Sequence, residues 1–394
     1  MAYGARCGDT MIPIRTTLGG KQIVLGITGS IAAVDCVRLC HALRRCGADV
    51  QGVMTEAACG ILHPDAVTYA TGHETLTRCG GMVEHVTYCG DGGSADLLLI
   101  APATANTICK IAHGIDDTPV TTFATTAIGR GMPVVLVPAM HESMYRHPGV
   151  RACLDTLRIW GITIVDPRIE EGKAKIAAID TIIHETERAL SGLPLQGKTV
   201  LITSGPCRER LDDVRVLTTR SSGRMGKELA REASRLGAEV WVVHEDDLFL
   251  PYVRNVYARS ASEMRESILS LCAEQIFDYY ISAAAISDFA PAPYEGKIPS
   301  GQAISVDLLP LPKIILDVMQ TANRPKTIVG FKLGWNSAEE ARGLFEAGVD
   351  MVAANTPDAL GVETASYELI TKDGTVHAEG TKTEVAEILW QHLR

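Results

Sequence analysis

Several features that would identify a function at once are missing from the sequence. Aromatic residues make up only 5% of its 394 positions, so the cores must rely on Val, Ile, Leu and Ala. No apolar run reaches the roughly 18 residues needed to cross a membrane, and no CxxC pair or GxGxxG pattern occurs. The stretch Met1–Thr17 also lacks the apolar core of a secretion signal. We therefore expect a cytoplasmic chain without a membrane segment or a classical dinucleotide fingerprint.

The net charge and the cysteine content exclude further classes of binding partner and site. The net charge of −10 argues against nucleic acid as a partner, because a phosphate backbone needs a basic face. Small phosphorylated ligands remain possible, since a few cations and N–H groups can hold them. The eleven cysteines are odd in number. We expect free, buried thiols in a reducing compartment and no metal held by protein side chains.

The pattern of apolar runs predicts two doubly wound α/β domains. A chain of this length favours two domains of about 190 residues each. Continuous apolar runs alternate with helical stretches, which is typical of parallel strands covered on both faces. The predicted strands are Ile23–Ile27, Val50–Met54, Leu97–Ala101, Val134–Val137 and Ile162–Val165, then Val200–Thr203, Val240–His244, Tyr279–Ala283, Ile328–Phe331 and Met351–Ala354. A turn-rich connector at 191–198 separates domains 1–190 and 191–394, and Asp373-Gly374 predicts a late hairpin.

Small and hydroxyl residues follow three predicted strands of the first half. Gly29-Ser30 precedes a helix, Thr55 follows the second strand and Thr104 follows the third. Ligands in doubly wound folds lie at the carboxyl ends of the strands, where free N–H groups favour phosphate. The three ends together predict a site for a flat ring and a phosphate.

Four segments of this half, 29–32, 54–58, 101–107 and 138–145, resemble the homo-oligomeric flavin-containing cysteine decarboxylases over about residues 20–190. The resemblance implies a flavodoxin-like flavoprotein domain that binds FMN. It implies FMN contacts at Gly29, Ser30, Ile31, Thr55, Thr104, Ala105, Asn106, Thr107 and Ala139. FMN would provide the electron sink that decarboxylation of a cysteine carboxylate otherwise lacks.

The resemblance also implies catalytic histidines in the first half. His85, shortly before the third strand, matches the family histidine and would take the thiol proton. His141 stands where the better-known relatives carry Asn, and it would hold the substrate carboxylate. The segment 167–177 has no counterpart of the family's reprotonating Cys. Either Lys173 or Lys175 supplies the proton or binds the substrate phosphate, or the segment is a solvated loop.

The second half carries a different phosphate cradle. The run Ser221-Ser222-Gly223-Arg224-Met225-Gly226 precedes a helix and offers hydroxyls, glycines and exposed N–H groups. With Thr203-Ser204-Gly205-Pro206 and 283–289 it resembles the phosphopantothenate–cysteine ligases over about residues 197–394. The resemblance implies a Rossmann-like ligase domain with substrate or nucleotide contacts at Gly205, Thr219, Ser221, Ser222, Gly223, Ala284, Asp288, Phe331 and Asn355.

The chemistry implied for this half is carboxylate activation. CTP, with Mg²⁺ bridging its triphosphate, converts the carboxylate to an acyl-cytidylate, which the cysteine amine then attacks. Lys297 would neutralise the developing charge. Two departures leave the choice between CTP and ATP open. Thr219 replaces the bacterial Asn. The lysines expected after Phe331 are not evident, and Arg342 offers only a partial substitute for them.

Both halves together resemble the bifunctional phosphopantothenoylcysteine decarboxylase and phosphopantothenate–cysteine ligase of coenzyme A biosynthesis, in an archaeal-like variant. The implied ligands are 4'-phosphopantothenate, cysteine, CTP and 4'-phosphopantothenoylcysteine. The implied assembly has trimeric flavin domains and dimeric ligase domains, with a dodecamer as one outcome. Three alternatives stay open: a decarboxylase of another cysteine-ending substrate, an NAD(P)-dependent oxidoreductase, and an FMN-binding scaffold or regulatory protein with one or both activities lost.

Overall fold

The structure is a computed structural model that describes residues 16–170, 173–245, 250–301, 303–335, 337–357, 362 and 364–394, without the side chains of residues 173 and 337–340. The chain divides into two compact units, Met1–Gly192 and Leu193–Arg394. Each unit is a doubly wound α/β structure, so the predicted fold class is confirmed.

The first unit is built on a central parallel sheet. The strands of this unit are β1 (Gln22–Ile27), β2 (Asp49–Met54), β3 (Leu97–Ala103), β4 (Val134–Pro138), β5 (Met140–His141), β6 (Thr163–Ile164), β7 (Arg168–Glu170) and β8 (Lys173–Lys175). Its helices are α1 (Cys36–Arg45), α2 (Glu56–Cys59), α3 (Pro64–Thr71), α4 (Glu84–Cys89), α5 (Ala105–Ala112), α6 (Pro119–Arg130), α7 (Glu142–Tyr145), α8 (Pro148–Ile159) and α9 (Ile179–Ala189), and a 3-10 turn Ile31–Asp35 precedes α1.

The strand order of this sheet is β2-β1-β3-β4-β6, which is the flavodoxin-type order. Neighbouring strands are parallel, and alternate residues of each strand enter different cores on the two faces. Val24 packs with α6 on one face, for example, whereas Leu25 packs with α1 on the other. This two-sided burial explains why the strands read as continuous apolar runs.

The second unit has a larger sheet. The strands of this unit are β9 (Thr199–Thr203), β10 (Arg208–Arg210), β11 (Val216–Thr218), β12 (Glu239–His244), β13 (Arg254–Tyr257), β14 (Tyr279–Ser282), β15 (Phe289–Pro291), β16 (Leu308–Pro310), β17 (Thr327–Leu333), β18 (Met351–Asn355), β19 (Thr364–Thr371) and β20 (Gly374–Thr381). Its helices are α10 (Arg224–Arg235), α11 (Ala261–Glu274), α12 (Ile314–Met319), α13 (Ser337–Glu346) and α14 (Lys382–Leu393).

The order of the large sheet is β13-β12-β9-β14-β17-β18-β19-β20. The six strands from β13 to β18 are parallel and follow the Rossmann order, with the reversal of winding between β9 and β14. The hairpin predicted at Asp373-Gly374 is confirmed: β19 and β20 pair from Thr371 opposite Gly374, and Gly374 has a φ of 136°. In both units the ligand crevice is therefore expected at the carboxyl edge, next to the point of reversal.

The cysteines that the structure describes are free, and most are buried. Cys7 lies outside the described residues. Burial raises the pKa of the Cys40 thiol to about 12, so this thiol stays protonated at neutral pH. No helix in the described ranges is both long and apolar enough to span a bilayer.

Candidate active sites

Three hydroxyl side chains line the carboxyl edge of the first sheet. Ser30, Thr55 and Thr104 follow the adjacent strands β1, β2 and β3. Each hydroxyl caps the helical turn after its strand, accepting from the N–H of Ala32 at 3.4 Å, Ala58 at 3.2 Å and Thr107 at 3.3 Å respectively. The positive ends of three short helical segments thus meet at one edge.

A buried threonine that the sequence reasoning did not single out joins two of these loops. Thr28 is fully buried; its Oγ1 donates to the Pro102 carbonyl at 2.7 Å and accepts from the Thr104 N–H at 3.0 Å. These bonds tie β1 to β3 at the point where the winding reverses. The signal in the sequence was weak, because Thr28 lies one residue before the Gly29-Ser30 turn.

Gly29 is required by close packing. A Cβ at this position would lie 2.6 Å from the Cβ of Ala57, at the start of α2. The turn after β1 and the turn after β2 therefore touch, and the backbone of Gly29 stays accessible at the edge. This cradle of small groups fits a phosphate and a flat ring, which is what a flavin mononucleotide presents.

The other predicted FMN residues lie around the same edge with different exposure. Ile31 is 76% exposed and Asn106 is exposed at the start of α5, whereas Ala105 and Thr107 are buried. Ala139 is buried after β4, and its N–H donates to the Ala103 carbonyl at 3.1 Å. The edge thus extends across four neighbouring strands.

His85 lies on α4, on the face of the sheet that carries α6. Its ring meets Phe123 edge to face at 6.4 Å between centroids. Its Nδ1 is buried and has no hydrogen-bond partner among the described residues. A buried imidazole nitrogen without a partner is costly, so a ligand atom or water is expected to bond it. No hydrogen bond within the described ranges links His85 to the hydroxyl-lined edge.

His141 and the lysine-rich segment form one small sheet. β5 pairs with β8 and β8 pairs with β7, both antiparallel, so that His141 stands opposite Lys173 and Lys173 opposite Glu170. The side chain of Lys173 lies outside the described part. Lys175 donates to Glu170 at 3.1 Å. The segment is thus a hairpin laid along the His141 strand, which sequence reasoning did not predict.

In the second unit, glycines bring the first strand and α10 into contact. Ser204 Oγ donates to the Gly223 carbonyl at 3.1 Å. A Cβ at Gly226 would lie 2.4 Å from Ser204 Oγ, and one at Gly223 would lie 3.1 Å from the Gly205 Cα. Gly205 and Gly223 also have φ values of 87° and 68°, which other residues rarely adopt.

The N-terminus of α10 is left open by this packing. Gly223 is its N-cap residue and provides no side-chain cap. Ser221 caps the N–H of Gly223 itself, at 3.4 Å, and Ser222 is exposed. First-turn N–H groups without a side-chain partner are a site for an anion.

Two cations lie at this end of the helix, Arg224 of the 221–226 run and Lys382, which sequence reasoning missed. Arg224 begins α10 and Lys382 begins α14, and neither makes an ion pair with a described residue. Burial and the positive charge of Arg224 lower the pKa of Lys382. The helices pack side by side, since Trp390 Nε1 donates to the Leu229 carbonyl at 3.0 Å and Thr383 to Glu228 at 3.2 Å. Only tertiary packing brings Lys382 to the cradle.

The loop after β14 meets both sides of the point of reversal. The Ala284 N–H donates to Thr203 Oγ1 at 3.2 Å, and the Ala285 N–H donates to the Gly205 carbonyl at 2.9 Å. Thr219 Oγ1 donates to the Ala285 carbonyl at 3.3 Å. The structure thus brings Gly205, Thr219 and Ala284 together, with the Thr219 proton already engaged.

The remaining predicted residues of this unit lie along the same edge or near it. Asp288 is exposed and forms an ion pair with Lys313, another residue that the sequence did not reveal. Phe331, on β17, packs against Tyr367 at 5.8 Å between ring centroids. Asn355 ends β18, and its carbonyl accepts from the Gly334 N–H at 3.0 Å.

Lys297 lies on the exposed loop between β15 and β16, and its side chain makes no hydrogen bond or ion pair with a described residue. Arg342, on α13, is also exposed. Among the described residues, no group of three His, Cys, Asp or Glu side chains is placed to hold a metal ion.

Comparisons with known proteins divide the chain at the same place. Residues 11–191 match the family model "Flavoprotein", and residues 195–394 match "DNA/pantothenate metabolism flavoprotein C-terminal domain". The "Coenzyme A biosynthesis bifunctional protein CoaBC" of Thermococcus kodakarensis is 43% identical over 386 residues, covering 95% of each chain. That of Methanocaldococcus jannaschii is 34% identical, covering 96% of this chain and 94% of the relative. A crystal structure of the C-terminal domain of a CoaBC protein is 31% identical and covers 50% of this chain and 94% of that one, with a TM-score of 0.42.

Proposed function

The chain belongs to the family of bifunctional coenzyme A biosynthesis proteins, with a decarboxylase and a ligase activity, and from this premise we propose which residues carry each reaction. The first unit decarboxylates 4'-phosphopantothenoylcysteine with FMN. The second unit ligates 4'-phosphopantothenate to cysteine through an acyl-cytidylate formed from CTP. Similarity to bifunctional relatives over nearly the whole chain favours this enzyme over a scaffold that has lost its activities.

The observation that carries the decarboxylase assignment is the hydroxyl-lined edge beside the flavodoxin-type reversal. Ser30, Thr55 and Thr104 with the adjoining N–H groups would hold the phosphate and ribityl part of FMN, and Gly29 would let the backbone approach it. When bound, FMN supplies the two-electron oxidation of the thiol-bearing carbon that lets the neighbouring carboxylate leave as CO2.

His85 is proposed as the base that takes the substrate thiol proton. Its buried Nδ1, which has no hydrogen-bond partner among the residues that the structure describes, supports this role, because a substrate group would complete its hydrogen bonding. His141 is proposed to donate to the substrate carboxylate. The β7–β8 hairpin, paired to His141, is proposed to cover the substrate. The proton donor is proposed to be Lys173, which stands opposite His141 in the β5–β8 pairing, with Lys175 as the alternative.

In the ligase unit, the open N-terminus of α10 is proposed to bind the triphosphate, assisted by Ser221, Ser222, Arg224 and Lys382. Mg²⁺ would enter the site as a complex with the nucleotide, bound to its phosphate oxygens. Lys297 is proposed to neutralise charge on the reacting carboxylate and phosphate. Ala284, Asp288, Phe331 and Asn355 would surround the nucleotide and acyl group.

An assembly of trimeric flavin units and dimeric ligase units is also proposed. Its support is a set of exposed apolar side chains on the first unit, which a subunit contact would cover: Ile31, Val34, Tyr69, Met82 and Val86. Light scattering of the full chain tests this, and a monomer at micromolar concentration would contradict it.

The function is tested by incubating the FMN-loaded full chain with 4'-phosphopantothenate, cysteine, Mg²⁺ and either CTP or ATP. Mass spectrometry should find 4'-phosphopantetheine with CTP. Accumulation of 4'-phosphopantothenoylcysteine alone would refute the decarboxylase assignment. Absence of any amide product with both nucleotides would refute the ligase assignment.

A further inference from the structure

Asp212, in a loop beside the proposed ligase site, is a buried carboxylate that accepts four hydrogen bonds. Its side chain has no exposed surface although it lies between the short strands β10 and β11. Its Oδ1 accepts from the Val214 N–H at 2.8 Å and the Arg215 N–H at 2.6 Å. Its Oδ2 accepts from Arg215 Nη1 at 2.7 Å and from the Ile298 N–H at 3.0 Å. A buried carboxylate with four donors is a rigid junction.

The Asp212 junction joins its own loop to the distant segment that contains Lys297. The contacts lie on both sides of this lysine. Ile298 gives its N–H to Asp212, and its carbonyl accepts from Arg215 Nη1 at 3.3 Å. On the other side of Lys297, the Gly296 carbonyl accepts from the Asp213 N–H at 3.1 Å. Both neighbours of Lys297 are therefore held while the Lys297 side chain itself makes no bond to a described residue.

The same junction leads directly to the rest of the site. β11 begins at Val216, immediately after Arg215, and ends one residue before Thr219, which bonds the Ala285 carbonyl. Thr218 Oγ1 fixes this strand to the Cys207 carbonyl at 2.8 Å. Through the Asp212 carboxylate, the backbone at Lys297 is thus held in a fixed position relative to the point where the winding of the sheet reverses.

We propose that Asp212 is a positioning residue of the ligase, which holds the Lys297 loop so that the ammonium group reaches the reacting carboxylate and phosphate. The inference rests on the proposed role of Lys297. Asp212 touches neither the nucleotide nor the substrate and acts only through the loop. Displacement of a charge-stabilising group by a fraction of an ångström weakens it in the transition state more than in the bound ground state.

The ionisation of Asp212 is secure at working pH. Burial alone would raise its pKa, but the N–H groups of Val214, Ile298 and Arg215 and the Arg215 guanidinium lower it to about 2. Because the folded pKa lies below the ordinary value of 3.8, the clamp is intact above that value and is lost only as the pH falls towards 2. The effect of an Asp212 substitution should therefore be constant between about pH 5 and about pH 9.

The test is a double-mutant cycle in the full chain, with Asp212→Asn, Lys297→Gln and both together. Amide formation is followed with CTP, cysteine and 4'-phosphopantothenate as the probes. We expect Lys297→Gln to lower kcat about 100-fold and Asp212→Asn to lower it about 10-fold, with the KM for CTP changed less than about 2-fold. In the Lys297→Gln background, Asp212→Asn should have no further effect on kcat.

Asp213→Asn is the matched control. Asp213 is the next residue, half exposed, and its carboxylate touches only Arg210 among the described residues. Its amide variant keeps the backbone bond to Gly296 and should leave kcat unchanged.

The two possible failures can be told apart. Equal losses from Asp212→Asn in both backgrounds would overturn the positioning role while leaving Lys297 assigned. Full activity of Lys297→Gln would overturn the assignment of Lys297 and the inference with it. If Asp212→Asn does not unfold cooperatively, Arg215→Gln removes only the guanidinium arm of the clamp, and the same non-additivity is required of it.

Discussion

In the proposed function, the two units bind phosphate at the same place in the fold with opposite local chemistry. In the first, Ser30, Thr55 and Thr104 already satisfy N–H groups of the helical turns at the strand ends. In the second, Gly223 leaves the start of α10 without a side-chain cap, and Arg224 and Lys382, which make no ion pair with a described residue, stand near it. A satisfied, hydroxyl-lined edge suits a resident cofactor that is held by shape. A helix terminus without a side-chain cap, beside cations that have no ion pair in the described part of the chain, suits a polyphosphate that must bind, react and leave.

The largest expected effect that separates the units comes from His85→Asn. If His85 is the base of the first unit alone, decarboxylation should fall about 10²- to 10⁴-fold while amide formation is unchanged. FMN absorbance of the purified variant checks that the cofactor still binds. His73→Asn is the control and should lose neither activity, because the imidazole Nε2 of His73 contacts only the Asp49 carboxylate at the surface among the described residues, at 2.6 Å. Loss of amide formation in His85→Asn would show that the two sites are not independent.

Gly226→Ala should damage the second unit in the complementary way. The new Cβ would lie 2.4 Å from Ser204 Oγ, so α10 must move away from the turn after β9. Such overpacking costs about 1–3 kcal/mol, and we expect amide formation at low CTP to fall about 10- to 100-fold. Gly343→Ala, in α13, is the control, because no described atom beyond the adjacent residues and the helix's own backbone lies within 4 Å of the new Cβ. Unchanged CTP dependence would mean that this end of α10 does not hold the nucleotide.

Gly29→Ala is the matching change in the first unit, with a somewhat smaller expected effect. The Cβ would meet that of Ala57 at 2.6 Å and separate two of the three hydroxyl-bearing turns. FMN affinity, measured by fluorescence quenching, should fall about 10-fold. Gly129→Ala in α6 should leave it unchanged, because the new Cβ meets no described atom within 4 Å beyond its own helix backbone and the adjacent residues. Equal FMN affinity in both variants would place the cofactor elsewhere.

The same contrast explains what the sequence could predict. Strand-end hydroxyls and glycines such as Thr104 and Gly223 were found because parallel strands bring their carboxyl ends to one edge, a consequence of period and order alone. α6, with Phe123 against His85, was not predicted, because its β-branched threonines disfavour a helix by propensity. In the structure Thr122 and Thr126 donate to the carbonyls four residues earlier, and a capping box of Thr118 and Thr121 starts the helix.

The residues that sequence reasoning missed depend on packing between distant segments. Lys382 lies near α10 only because α14 packs beside it, and Lys313 meets Asp288 across a loop. Asp212 reads as one of many surface carboxylates until Ile298 is seen to donate to it. Short polar strands such as β7 and β10 carry no apolar period at all, so their pairing cannot be predicted from pattern.

The smallest expected effect distinguishes the two lysines of the β7–β8 hairpin. Lys175→Met removes a partly exposed ion pair with Glu170, and exposed pairs contribute about 0–1 kcal/mol. Decarboxylation should therefore change less than about 3-fold. Lys173→Met, opposite His141 in the β5–β8 pairing, should lower it more if that lysine returns the proton. Solvent-isotope effects on product formation check the proton step, and a larger loss in Lys175→Met than in Lys173→Met would reverse the assignment.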